Sequence, residues 1–381
     1  MKINPKVIII SGGDSWVNRG DKAILTGTLK ILEEIPNIKV CILSGNPTIT
    51  KQDYPKYEVI NRNNFFDLIT SIKRSYLFLW GGGHLLQNTS SKLFLIHQFL
   101  LLLIPIVFKK KIMGFSLGVE EINGNFWKLI AKRILNRFTL ISVRDNLSRE
   151  ILINLGIHIP IFITSDPAVI LKKTNDFKSN SEQSFVIIAP RKWFHYKSRF
   201  FPIKWQITNK EDGPLCYLHT FAKIADYIIE NYSLEVYFLP MYPGNNQGDE
   251  IISQEIINLM ENKQRASIID SNISTNQLIQ FVSNSSLLIG MRMHATILSI
   301  CGNVPAISIY YQNKGKSFFE AMELEDFAIP IEQINEPRVF NMIDYILENE
   351  LKIKIKIELN RKKLSYEVTK NLKFILDILD E

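Results

Sequence analysis

Short Val- and Ile-rich runs alternate with helix-length stretches, and the alternation occurs twice along the chain. In the first set the strand-like runs fall at residues 6–11, 39–44, 76–80, 111–116 and 140–143. The stretches between and after them, 21–34, 91–103, 125–136 and 148–155, read as helices, with Gly156 a natural stop for the last. Residues 172–182 are rich in Lys, Asn and Ser and read as a linker. A second set follows, with strands at 185–189, 234–239, 266–269, 287–289 and 306–309 and helices at 218–230, 249–261, 275–283 and 295–302. Strand–helix alternation of this kind implies parallel sheets with helices on both faces. The expected fold is therefore α/β, with two doubly wound, Rossmann-like domains facing a cleft. The expected division is a first domain over 1–174, a second over 175–350, and a helical tail over 351–381 packing back onto the first.

Ligands of such sheets bind at the carboxyl ends of the strands, so the residues there are the candidates. Leu288-Ile289-Gly290-Met291-Arg292-Met293-His294-Ala295 ends one strand and opens a helix. Helix N-termini favour anions, and Arg292 and His294 stand at this one. Lys314 follows twenty residues after His294, beyond the next apolar run. Gly81-Gly82-Gly83-His84 ends another strand. The glycines let a ligand approach the backbone, and His84 either touches that ligand or caps the next helix. Arg144 ends a third strand beside Asp145 and serves either as half of a buried ion pair or as a bidentate grip on a carboxylate or phosphate. Asn18-Arg19-Gly20-Asp21 forms a strand–loop–helix junction in which Asp21 can cap the helix. Arg191 leads a loop, 192–213, that includes Trp193 and Trp205 and suits sugar faces and anionic groups. Asp249 reads as a helix cap, and Asp166 as structural or as a domain contact.

The order of these motifs, from Asn18-Arg19-Gly20-Asp21-Lys22 through Trp80-Gly81-Gly82-Gly83, Val143-Arg144-Asp145, Asp166-Pro167-Ala168 and Met291-Arg292-Met293-His294-Ala295 to Tyr310 and Lys314, resembles the polysaccharide pyruvyl transferase family. The resemblance runs from about residue 6 to residue 325. It implies a glycosyltransferase-B-like fold. It also implies transfer of a pyruvyl group from phosphoenolpyruvate to two hydroxyls of a sugar, as a ketal. On that basis Arg144, Arg292 and Lys314 would hold the donor's carboxylate and phosphate, and His294 would be the acid. Arg191, Trp193, Asn18, Asp21, Gly82, Gly83, His84 and Tyr310 would bind substrate, with the first domain on the acceptor side and the second on the donor side. Arg19 and Lys22 stand where family members often carry Ile and Glu. The alternatives are a sugar-nucleotide glycosyltransferase on the same fold and a non-catalytic carbohydrate-binding protein.

Composition narrows the setting. The chain has 381 residues, a 46% hydrophobic share and a formal charge of +7. It shows no nucleic-acid motif, and the charge suits anionic substrates or an anionic membrane face. A lipid-diphosphate-linked glycan at the inner membrane face would use it. Cys41, Cys216 and Cys301 have no pairing or metal spacing, which fits a reducing cytoplasm. No Asp-x-Asp pair or His/Cys cluster suggests a metal, so no cofactor is expected beyond the donor substrate. Residues 93–108 are apolar but shorter than the ~20 a membrane span needs, and they read as a buried helix.

Overall fold

A computed structural model describes residues 4–12, 16–88, 91–173, 184–193, 216–243, 248–270 and 272–381. Among the described residues the first sheet contains β1 (Lys6–Ser11), β2 (Ile38–Ser44), β3 (Glu58–Asn61), β4 (Leu77–Gly81), β5 (Lys111–Leu117), β6 (Leu140–Val143) and β7 (Ile161–Ile163). The second contains β8 (Phe185–Ala189), β9 (Glu235–Phe238), β10 (Ala266–Ile268), β11 (Leu287–Gly290), β12 (Ala306–Tyr310) and β13 (Ala328–Pro330). Spatial orders are β3-β2-β1-β4-β5-β6-β7 and β10-β9-β8-β11-β12-β13. Every recorded pairing is parallel.

The first sheet carries α1 (Arg19–Leu32), α2 (Pro47–Asp53), α3 (Phe65–Arg74), α4 (Lys92–Val107), α5 (Asn125–Leu135) and α6 (Asn146–Asn154). The second carries α7 (Cys216–Tyr232), α8 (Asp249–Leu259), α9 (Thr275–Val282), α10 (Met293–Cys301), α11 (Asn313–Ala321) and α12 (Glu336–Glu348), before the terminal α13 (Glu350–Asp380). Helices on both faces explain why the strands are apolar throughout rather than alternating. Ile8, Ile9 and Ile10 are all buried, as are Leu287, Leu288 and Ile289.

The strand order reverses between β1 and β4 in one sheet and between β8 and β11 in the other. A crevice opens outside the carboxyl ends of strands at such a reversal. Helix α1 closes the two halves together. Gly27 lets it lie against the turn Pro167–Ile170, because a Cβ there would come 2.1 Å from the Pro167 carbonyl oxygen. The Arg19 N–H donates to the Met241 carbonyl at 3.0 Å. Helix α13 returns to the first sheet: Asn371 bonds Ser142 and Ser116 at 2.6 and 3.0 Å, and Phe374 stacks on Phe162.

Two local expectations change. The cap of α1 is Asn18, whose side chain accepts from the Gly20 N–H at 2.9 Å, and Asp21 lies inside the first turn. Helix α4 does not stop at residue 103 but continues through Pro105 to Val107, and it is not a buried helix. Leu100 and Val107 are 60% and 70% exposed, because the sheet covers one side of α4 and no described element covers the other.

Candidate active site

The four strands at the two reversal points deliver the site. After β1 comes the first turn of α1; after β4 come Gly82, Gly83 and His84. After β8 comes Arg191, and after β11 come Arg292 and His294. Arg144 follows β6, and Lys314 sits in the first turn of α11.

Arg144 and His294, one from each domain, meet on Asp166. The Arg144 Nη1 donates to Asp166 Oδ2 at 3.0 Å, and His294 Nε2 lies 3.3 Å from the same oxygen. Burial favours the neutral acid, but His294, Arg144 and the Ala168 N–H outweigh it and hold Asp166 at about 2. The carboxylate can then only accept, so Nε2 of His294 carries the hydrogen and Nδ1 is the nitrogen left to gain or lose a proton. The His294 side chain packs against Gly20, where a Cβ would fall 2.6 Å from Nδ1.

The other side of Arg144 meets His84, with Nη2 2.6 Å from Nδ1. The same Nη2 stands 3.2 Å from Nε2, so the guanidinium lies over the ring, and Nε2 is 3.8 Å from Glu120. Burial, together with Lys314, Arg144 and His294, pushes His84 well below 6.5, so it is a neutral acceptor at neutral pH. His84 therefore orients Arg144 and does not cap α4, whose cap is Ser91. Gly118 permits this stacking, since its Cβ would come 2.7 Å from the His84 ring and 2.9 Å from the Arg144 guanidinium.

Arg292 is held by Asp249 through a bidentate pair of 2.6 and 2.7 Å. Asp249 is buried and also accepts from the Met241 and Tyr242 N–H groups at 3.1 and 2.8 Å. It is the first residue of α8, and Gly248 occupies the cap, so the expected capping role gives way to fixing Arg292.

Arg191 donates to the Tyr311 hydroxyl, and its guanidinium lies 4.4 Å from that ring's centroid. Burial opposes ionisation of Tyr311, yet Arg191, Lys314 and Arg292 together hold the phenol below the usual tyrosine value. Burial draws Lys314 below the ordinary lysine value, with Arg144 and Arg191 adding to the effect while Tyr311 and Glu120 oppose it. The phenol among these cations is Tyr311, not Tyr310. Tyr310 packs over Gly315, where a Cβ would meet Tyr310 Cβ at 2.7 Å.

Trp193 turns inward. It is 8% exposed, its N–H donates to the Tyr217 hydroxyl at 3.3 Å, and its ring meets Tyr217 edge-on. The remainder of the expected aromatic loop, residues 194–213, lies outside the described residues. Gly82 adopts φ +75° against Ile24, whereas no atom of the described residues lies within 4 Å of where a Gly83 Cβ would stand. Arg19 and Lys22 serve the scaffold: Arg19 Nη2 donates to the Asp270 carbonyl at 2.7 Å, and Lys22 pairs with Asp53 at 2.7 Å. Lys22 also lines a groove of about 370 Å³ on the face of α1 turned away from Gly20 and His294.

A family model for polysaccharide pyruvyl transferase matches residues 18–313. The chain belongs to the polysaccharide pyruvyl transferase family. The match spans most of the carboxyl-end residues described above, from the Asn18 cap to the first residue of α11. Lys314 lies one position beyond it. This pyruvyl transferase family member is also similar to the amylovoran biosynthesis protein AmsJ of Erwinia amylovora, with 20% identity over 90% of this chain and 92% of that protein. In fold it is similar to a putative UDP-N-acetylglucosamine 2-epimerase from Listeria monocytogenes, with TM-score 0.66, 12% identity, and coverage of 98% and 96% of the two chains. The S. aureus MnaA–UDP structure matches with TM-score 0.63, 12% identity, and coverage of 99% and 98%. The architecture is thus glycosyltransferase-B-like. Among the described residues no group of three or more His, Cys, Asp or Glu could hold a metal.

Proposed function

We propose that the protein transfers the pyruvyl group of phosphoenolpyruvate onto two hydroxyls of a sugar in a surface-polysaccharide precursor, forming a ketal and releasing phosphate. The observation that carries this reading is the convergence of Arg144, Arg191, Arg292 and Lys314 on one crevice, with neutral His84 and Asp166-bound His294 beside them. The donor is a trianion, and cations already fixed by Asp166 and Asp249 need little reorganisation to receive it. Burial depresses Lys314, and an anion entering beside it opposes that effect and favours its charged form.

The chemistry then needs a proton delivered to the methylene carbon while a sugar hydroxyl adds to the neighbouring carbon. His294, with Nδ1 as its exchanging nitrogen, and Tyr311, acidified among cations, are the two groups suited to that proton. The second hydroxyl displaces phosphate and closes the ring. The acceptor enters from the side of Gly83, where the described residues leave space beside the backbone. Phosphate release from phosphoenolpyruvate, assayed with and without a glycan acceptor, tests the reading. Release that needs the acceptor supports it. Turnover of a sugar nucleotide with none of phosphoenolpyruvate would replace it with glycosyl transfer.

A further inference from the structure

One face of the first domain is apolar where a solvent-facing surface is ordinarily polar. Helices α3, α4 and α5 lie side by side there. On α4, Leu95, Phe99 and Leu102 point into the core. The opposite side repeats at helical spacing through residues 93, 96, 100, 103 and 107, and every one of those positions is apolar. Leu100, Leu103 and Val107 are 60%, 42% and 70% exposed, and Phe66 on α3 and Phe126 on α5 are 81% and 65% exposed. Singly exposed apolar residues are ordinary, but several on three neighbouring helices mark an interaction surface.

The charges around the set are mostly positive. Lys73, Lys109, Lys128 and Arg133 are exposed at its margins, α4 and α5 contain no acidic residue, and α3 has one, Asp67. A second copy docked about a two-fold axis would bring this cationic margin against itself. A surface of anionic lipid complements both parts: acyl chains for the apolar side chains, headgroups for the cations. No helix among the described residues is long and apolar enough to cross a bilayer, so α4 would lie in the interface plane.

We infer that the face formed by α3, α4 and α5 docks the protein on an anionic lipid surface. Helices α3, α4 and α5 all begin at the carboxyl edge of the sheet, the edge that holds Gly83, His84 and Arg144. Docking through them sets the crevice beside the lipid. That an acceptor carried on lipid is thereby presented rests on the proposed function; the docking itself does not.

The test is flotation of the full chain with phosphatidylcholine vesicles, with and without phosphatidylglycerol, and with no substrate present. The wild type should float with the anionic vesicles and bind at least about tenfold less to phosphatidylcholine alone. The variant Leu100→Ser/Leu103→Ser/Val107→Ser should lose about a hundredfold in partitioning at an unchanged melting midpoint, since these side chains are exposed. Lys128→Glu/Arg133→Glu should bind less and lose its preference for anionic vesicles. The inference fails if the wild type stays unbound, if the triple serine variant floats like the wild type, or if the apolar face instead drives a concentration-dependent dimer that the serine variant dissolves. Because no turnover is read, these outcomes are separate from success or failure of pyruvyl transfer.

Discussion

Substituting Gly20 by Ala tests the geometry of the crevice with a single methyl group. Gly20 lies in the first turn of α1, and the space its side chain would take holds the His294 ring. A Cβ would stand 2.6 Å from Nδ1, 2.7 Å from Cγ and 2.8 Å from Cβ of His294. Heavy-atom contacts relax at about 3.5–4.0 Å, so the ring must retreat by roughly 1 Å. Rotation alone does not suffice, because the His294 Cβ is itself in the way. The retreat would disturb the 3.3 Å contact with Asp166 that sets which nitrogen exchanges its proton. Overpacking costs about 1–3 kcal/mol, while Ala in place of Gly returns about 1 kcal/mol of helix propensity, so stability should change little. A reacting group misplaced by about 1 Å costs about 100-fold in rate. The expectation is a kcat lower by about two orders of magnitude, a melting midpoint within a few degrees of wild type, and little change in phosphoenolpyruvate affinity. Acceptor-dependent phosphate release and thermal unfolding measure these. A Gly20→Ala enzyme with wild-type kcat would refute the role given to the His294 ring.

Asp249→Ala leaves the Arg292 guanidinium and two backbone N–H groups without their buried acceptor, a loss of about 3–5 kcal/mol. Denaturant unfolding should show it, and the double variant with Arg292→Ala should recover part of the stability while remaining inactive. The pH dependence of stability has two arms. His84 is neutral when folded and titrates near 6.5 when unfolded, so the unfolded chain takes the proton first and the unfolding free energy declines as pH falls below 6.5. Asp166, at about 2 against an ordinary 3.8, contributes stability above 3.8 that disappears as pH falls towards 2. Denaturation midpoints across this range should show a shallower upper arm in His84→Gln. Activity should persist in excess chelator, and a rate lost on chelation and restored specifically by magnesium or manganese would overturn the metal-free account.

The two sheets were legible because strands buried on both faces read as unbroken apolar runs, as at Ile8 to Ile10 and Leu287 to Ile289. The Arg292–His294 turn was legible because a strand end, a helix start and two cationic side chain types coincide within a few residues. Asp249 was not, since its partner is 43 residues away and a carboxylate in a first helical turn looks like a cap. Tyr310 and Tyr311 straddle the end of β12, where alternation stops assigning faces, so the phenol that joins Arg191 could not be told from its neighbour. Trp193 was read as a sugar platform from the basic, aromatic stretch it opens, but Tyr217, from α7, draws it into the core. The exposure of α4's outer face is not legible in the sequence, because an apolar run reads as burial until its neighbours are known.

On the proposed function, two sugar hydroxyls and phosphoenolpyruvate become a ketal in this crevice. Incubating the protein with phosphoenolpyruvate and a glycan acceptor in deuterated water, then weighing the glycan by mass spectrometry, tests it most directly. The expected product is an acceptor heavier by one pyruvate less one water, with one deuterium in the new methyl group, and Arg292→Ala should form none. An acceptor of unchanged mass across a broad glycan panel, or one heavier by a sugar residue when a sugar nucleotide is supplied, would contradict it.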